Sequence, residues 1–317
     1  MRLNLPVTER LAECQNILVA GMGGGFDVFC GLPLYFELRE QGKTVHLANY
    51  SFSFLSDLHD GHDLGENLVG VNADMTSWYQ YFPERHLAQW FRENRHEEIT
   101  IWCFHKTGVR PLIEGYQALI ERFKIDAIML IDGGVDSLMR GNEAQYGTLI
   151  EDSISLCAVD ALKGVKHKFI ACVGLGAELE MTYAHVFENI AELNKEGGFL
   201  GSCSLIKQME CFQWYEQAVE YTFAQPSQEP SVINASVLSA VRGEYGNYHL
   251  TWKTQGSKLW ISPLMSIYWF FDLHGVAKRN LLMDDLYYTD TLTDAARAVW
   301  KLMQQIVKRK ETRIPLT

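Results

Sequence analysis

Two segments hold the residue types best suited to chemistry. The first is Ala20-Gly21-Met22-Gly23-Gly24-Gly25-Phe26-Asp27. Glycines at 23, 24 and 25 admit positive φ and let a ligand approach the backbone closely. Their N–H groups, with the start of a following helix, make a cradle for an anion such as phosphate. Asp27 stands where an N-cap would stand. It is also placed to bind ribose hydroxyls or a cation. The second segment runs Ile131-Asp132-Gly133-Gly134-Val135-Asp136-Ser137-Leu138-Met139-Arg140-Gly141-Asn142-Glu143. Asp132, Asp136 and Glu143 are grouped acids broken by flexible Gly133 and Gly134. Such carboxylates bind a divalent cation, Mg²⁺ or Ca²⁺, through oxygen. They also orient sugar hydroxyls, or supply a general base where crowding raises a pKa. Arg140 is suited to balance that charge or to grip a phosphate. The plainer reading of both segments is a tight turn, with Asp136 and Ser137 as turn formers.

The glycine pattern departs from the dinucleotide fingerprint, because Phe26 occupies the third glycine position. No Lys-Ser/Thr pair follows, so it is not a phosphate-binding P-loop either. Asn49, Tyr50 and Ser51 stand after the second strand, where an acid for an NAD ribose is expected. Weaker signals lie elsewhere. Gly174-Leu-Gly176-Ala-Glu178 adds Glu178 as a further acid, and His105, Lys106 and Thr107 suit a phosphate contact. Asp57, His59, Asp60, His62 and Asp63 could ligate a transition metal, although a polar surface loop is the simpler account. Trp260, Tyr268, Trp269, Phe270 and Phe271 read as core.

These residues need elements to hold them. Short apolar runs at Asn16–Ala20, Lys43–Ala48, Ile99–Phe104, Ala127–Ile131 and Lys168–Val173 read as strands. Helical patterns fall between them, at 27–41 (with Pro33 as a possible break), 84–94, 110–123, 151–162 and 182–195. Continuous apolar strands are those buried on both faces, as in a parallel sheet covered by helices. Alternation of strand and helix predicts a doubly wound, mostly parallel α/β sheet, Rossmann-like, with ligands at the strand C-termini. A boundary near Gly198 divides a core, 1–198, from an extension, 199–317, expected to pack on it as one unit. The extension reads as helices at 204–224, 231–242 and 293–308, and a β-hairpin over 249–252 and 258–261.

The balance of the chain sets limits on function. Among 317 residues, 28 basic side chains against 39 acidic ones give a net charge of −11, with 47% hydrophobic residues. That is globular composition, and at this length roughly three quarters of the unfolded surface can be buried. The acid excess argues against a nucleic-acid surface. The one basic cluster, Lys308-Arg309-Lys310, reads as the end of a solvated helix. No secretory leader or membrane span is evident. Seven scattered cysteines, none spaced as CxxC, fit reduced thiols in a cytoplasmic setting. No His partner marks one as a nucleophile.

The Gly-Gly-Gly-x-Asp27 segment, Asp132-Gly-Gly-x-Asp136-Ser-Leu-Met-Arg-Gly-x-Glu143, Glu151-Asp152-Ser-Ile-Ser155 and Ile261-Ser-Pro-Leu-Met265 together resemble a family of archaea and bacteria, domain of unknown function 1152. The resemblance spans roughly residues 15–310 and implies a Rossmann-like fold but no reaction. The family's usual acid after Arg140-Gly141 stands here as Asn142.

The residues themselves therefore carry the functional expectation. It is an enzyme, a hydrolase or glycosyl-transfer enzyme, acting on a nucleotide or another phosphorylated sugar. Gly23, Gly24, Gly25, Gly133, Gly134 and Arg140 would surround the ligand. Asp27, Asp132 and Asp136 would hold ribose hydroxyls or Mg²⁺, and Glu143 or Glu178 would be the acid/base. The alternatives are a non-catalytic nucleotide-binding sensor and, disfavoured by Phe26 and Asn49, an NAD-dependent oxidoreductase. The partner expected is a small phosphorylated molecule, with neither nucleic acid nor membrane; a homo-oligomer is compatible with the sequence.

Overall fold

The structure, a computed structural model, describes residues 4–314 apart from 57, 59–61, 77–80, 144–148 and 179–180; at 62 and 63 it describes the backbone alone. The chain runs α1 (Pro6–Ala12), β1 (Asn16–Gly21), α2 (Asp27–Cys30), α3 (Leu32–Glu40), β2 (Thr44–Tyr50), β3 (His62–Asp63), β4 (Leu68–Val71), α4 (Pro83–Trp90) and β5 (Ile101–Phe104). It continues through α5 (Val109–Phe123), β6 (Ala127–Gly133), α6 (Leu149–Ala161), β7 (His167–Val173), α7 (Tyr183–Lys195), β8 (Phe199–Ser204), α8 (Glu210–Phe223) and α9 (Val232–Arg242). Last come β9 (Ile267–Asp272), α10 (Leu273–Ala277), α11 (Met283–Leu286) and α12 (Leu292–Met303).

Among the described residues nine strands form one sheet in the order β3-β4-β5-β2-β1-β6-β7-β9-β8. The five central strands, β5, β2, β1, β6 and β7, pair in parallel. Antiparallel strands close both edges. This is a doubly wound α/β fold. Strands are added outward on one side of β1 and then, from β6, on the other, and this reversal of strand order between β1 and β6 is where a crevice opens in such folds.

Side-chain alternation explains the strand sequences. In β1, Ile17 and Val19 join one core layer while Leu18 and Ala20 join the other. In β6, Met129 and Ile131 face the first layer, Ile128 and Leu130 the second. A strand sandwiched between two helical layers needs apolar residues at every position. No helix among the described residues is long and apolar enough to cross a membrane. The seven cysteines carry no disulfide, and five of them are buried.

Several sequence expectations change. The first helix breaks at Gly31 into α2 and α3, with Pro33 in the first turn of α3, where its missing N–H costs nothing. Residues 199–204, just before and overlapping the start of the expected helix, form β8, and α8 begins only at Glu210. β9 pairs with β7, so the C-terminal part supplies strands to the same sheet.

The expected hairpin is not formed. A single bridge joins Gly246 to Ile261, and Trp252–Thr254 is a 3-10 turn. Local side-chain bonds capture the backbone instead: Thr254 Oγ1 donates to Thr251 O at 3.5 Å, and Leu259 N–H donates to Ser257 Oγ. Such bonds compete with a strand ladder. Trp260, expected in the core, is 55% exposed, whereas Tyr268, Phe270 and Phe271 are buried. The last helix stops at Met303. Arg309, expected on a solvated helix, has a side chain only 14% exposed and bonds to Glu188.

Candidate functional site

The carboxyl ends of the parallel strands, with the segment before α9, enclose a cavity of about 580 Å³. Its lining includes Gly23, Gly24, Gly25 and Asp27 after β1, Phe52 after β2 and Lys106 after β5. Asp132, Gly133 and Asp136 come from the end of β6, Asp152 from α6 and Glu178 from beyond β7. Tyr81, Glu229, Ser231 and Lys253 lie on the rim side. The glycine segment and the acids of the β6 loop, more than a hundred residues apart, thus face one hollow.

The glycine segment is held from behind. Met22 N–H donates to Ile131 O, and Ser155 Oγ to Met22 O. The Asn49 amide donates to Gly25 O and to the buried Glu84. Asn234 donates to Phe26 O. Gly24 and Gly25 adopt φ of 97° and 57°, a left-handed pair that residues bearing a Cβ rarely form. A side chain at Gly23 would meet Asp152 Oδ1 at 2.4 Å and Asp27 Oδ2 at 2.8 Å, so glycine lets these two acids close around the loop.

Asp27 does not act as the expected N-cap. Phe26 holds that position, and Asp27 opens a helix of one turn, too short to lend a dipole to an anion. Its carboxylate turns back to accept Gly23 N–H at 2.6 Å. Burial pushes its pKa up to about 8. The Gly23 and Gly133 N–H groups pull it down, and the Asp136 carboxylate raises it further.

Asp132, Asp136 and Asp152 are all buried, and one oxygen from each lies within 4.8 Å of the others. Asp132 Oδ2 accepts Ser137 N–H at 3.0 Å, with Cys172 Sγ at 3.5 Å. Among the described residues no N–H group donates to either buried oxygen of Asp152; the Asp136 carboxylate is its near neighbour. Burial first, and neighbouring aspartates second, hold Asp132 and Asp152 well above the usual carboxylate range.

Two lysines reach the cavity. Lys106 Nζ lies 4.0 Å from the centre of the Phe52 ring, and Lys253 Nζ lies 3.2 Å from Glu229. Their charge acts at the margin: burial raises the Glu151 pKa and Lys106 offsets only part of that rise, as Lys253 does for Glu178. Glu178 is exposed. Desolvation on its cavity side, followed by repulsion from Asp136, nevertheless raises it to about 7. Burial keeps the Tyr81 hydroxyl neutral as a donor.

Of the residues singled out in the sequence, Gly23, Gly24, Gly25, Asp27, Asp132, Gly133, Asp136, Glu178 and Lys106 meet at the cavity. Gly134 lies one residue behind it, its position flanked by Asp132 Oδ1 and Asp136 Oδ1. Glu143 and Arg140 are placed outside it. The buried Glu143 carboxylate accepts N–H bonds from Arg140 and Gly141, both at 2.9 Å, and faces Arg309 at 3.6 Å. Arg140 points to Glu192 at 3.6 Å. Asn142 accepts Arg309 N–H through its carbonyl. Of the proposed metal ligands between 57 and 63, Asp57, His59 and Asp60 lie outside the described residues, as do the side chains of His62 and Asp63.

These placements separate two roles. Glu143→Gln is expected to lower stability by about 1–3 kcal/mol, since the amide repels one of two buried N–H donors. A thermal melt would register that loss, while ligand binding at the cavity stays unchanged. Loss of function at full stability would instead move Glu143 into the site.

Sequence reasoning did not select Asp152 as a site residue. An acid in the first turn of a helix reads as dipole compensation. The available signal was its neighbourhood, Ser153-Ile-Ser-Leu-Cys-Ala-Val, which marks that face of α6 as buried.

The fold and cavity define an α/β protein with a carboxylate-floored pocket at its topological switch point. The chain belongs to the family described as Protein of unknown function (DUF1152), whose model matches residues 18–306. No curated protein and no solved structure matches it.

Proposed function

We propose that the protein is an enzyme acting on a nucleotide or another phosphorylated sugar, by hydrolysis or glycosyl transfer. One observation carries this reading: the left-handed glycine pair, the lysines 106 and 253 and the acids 27, 132, 136, 152 and 178 line a single cavity. Phosphate is held by backbone N–H groups and ammonium charge, whereas an oxocarbenium-like centre and an attacking water are stabilised by carboxylates. A cavity of about 580 Å³ is the size of a small-molecule site. Asn49, held by Gly25 and Glu84, leaves no acid at the ribose position of a nicotinamide dinucleotide.

Glu178 is the acid/base in this scheme. With a pKa raised to about 7, it carries a proton below that pH and accepts one above it, which suits proton transfer near neutrality. The rate profile is expected to show a limb near pH 7 that Glu178→Gln removes. A limb unchanged in that variant would assign the proton transfer elsewhere.

Mass spectrometry of the small molecule that copurifies, with and without chelator, tests the reading as a whole. A phosphorylated ligand that the protein converts supports it. A phosphorylated ligand bound without turnover indicates a sensor, and an apolar ligand argues against both.

A further inference from the structure

We propose that Asp132, Asp136 and Asp152 form a binding site for one hard divalent cation, Mg²⁺ or Mn²⁺. This deepens the reading above and rests on the same cavity.

The three carboxylates come from separate pieces of the fold: the end of β6, the 3-10 turn after it, and the first turn of α6. Their exposures are 1%, 5% and 1%. One oxygen from each lies within 4.8 Å of the others. Oxygens on opposite sides of Mg²⁺ are about 4.2 Å apart and those around Ca²⁺ about 5 Å, twice the respective bond lengths. Three donors on one such ion cannot all stand opposite one another, so the carboxylates would close in by up to about 1 Å to share it.

Asp152 supplies the independent observation. Among the described residues no N–H group and no neutral hydroxyl donates to either buried oxygen of Asp152; its polar neighbour is another carboxylate, Asp136, and its side chain lines the cavity. A buried acceptor is normally paired, and leaving a carboxylate unpaired is costly. The backbone is shaped to permit this arrangement. Gly23 leaves room for Asp152 Oδ1, which a Cβ would meet at 2.4 Å. Asp132 commits Oδ2 to the Ser137 N–H and keeps Oδ1 beside Asp136 Oδ1, both flanking Gly134. The lysines cannot replace the ion, because Lys106 lies over Phe52 and Lys253 beside Glu229.

The donor set fixes the class of ion. Three carboxylate oxygens, with no imidazole or thiolate among them, favour Mg²⁺ or Mn²⁺ over Zn²⁺. Three protein ligands leave open positions for water or for phosphate oxygens, the usual manner of Mg²⁺ binding.

The test is Mn²⁺ binding by the full chain after EDTA dialysis, followed by electron paramagnetic resonance and titration calorimetry, with Mg²⁺ as competitor. One Mn²⁺ per chain is expected, displaced by Mg²⁺, with affinity falling at least tenfold in Asp152→Asn and in Asp136→Asn. If a variant does not fold, the wild-type protein still answers: no Mn²⁺ binding up to millimolar concentration overturns the site. Binding that both folded variants retain places the ion elsewhere and also overturns it. Turnover of the phosphorylated ligand by a chain that binds no Mn²⁺ would sink the cation and spare the enzyme. A bound cation with no turnover would do the reverse.

Discussion

Asp132→Asn combined with Asp136→Asn is expected to lower turnover of the phosphorylated ligand by about 10³-fold or more, the scale of losing positioned acid/base and electrostatic groups. Affinity measured without added metal should change far less. There the ligand is held by the glycine segment and by Lys106 and Lys253, none of which the substitutions touch. Folding should survive, because asparagine keeps the shape of aspartate and its carbonyl can still accept the Ser137 N–H that now meets Asp132 Oδ2. The metal-free double variant should even melt at a higher temperature than the wild type. It removes two carboxylates from a buried cluster in which each raises the pKa of its neighbours. Steady-state kinetics, ligand titration and a melt on one preparation separate these effects. Undiminished turnover would remove both aspartates from the chemistry. Unchanged stability would mean that the cluster is already neutralised by bound protons.

The sheet was legible for a simple reason. Strands buried on both faces have no room for polar residues, so β1, β5, β6 and β7 announce themselves as uninterrupted apolar runs. Edge strands obey a weaker rule. β8 reads FLGSCS, with its last two residues exposed, and neither composition nor alternation distinguishes it from the turn before a helix. The 249–261 segment failed for a related reason: its Thr254 and Ser257 side chains bond to the backbone locally, and period-two patterning cannot register that competition.

The site was legible where one loop carries both the chemistry and the geometry. Gly23–Gly25 and Asp132–Asp136 follow directly from strands, so their position at the carboxyl edge comes with the strand assignment. Glu143 shows where that logic ends. It lies only seven residues beyond Asp136, but the chain turns at Gly141, with φ of 93°, and the carboxylate closes its own loop. Asp152 shows the converse. Its part in the cluster depends on how α6 packs against β1 and β6, and no local spacing encodes that. Ser155, one turn further along α6, makes the contact visible by bonding to Met22 O at 2.7 Å.

Gly24→Ala is expected to weaken ligand binding by about 10–100-fold, equivalent to about 1.4–2.8 kcal/mol, and to lower the melting temperature. Two penalties combine. At φ of 97° any L side chain is strained, by roughly 1–2 kcal/mol. The added Cβ would also stand 2.0 Å from Phe52 Cε1 and 2.3 Å from Cδ1, so either the loop or the ring must move. Both line the cavity, and the ring carries Lys106, so neither escape preserves the site. Gly42→Ala is the control. Its φ of 79° imposes comparable strain, but a Cβ there meets nothing within 4 Å, and it lies outside the cavity lining; it should cost stability and leave affinity intact. Phe52→Ala with Gly24→Ala then divides the two causes. Affinity matching Phe52→Ala alone would make the clash responsible, and a further loss beyond it would make the orientation of the loop's N–H groups responsible. If Gly24→Ala binds the ligand as the wild type does, the glycine serves packing alone and the phosphate cradle falls with it.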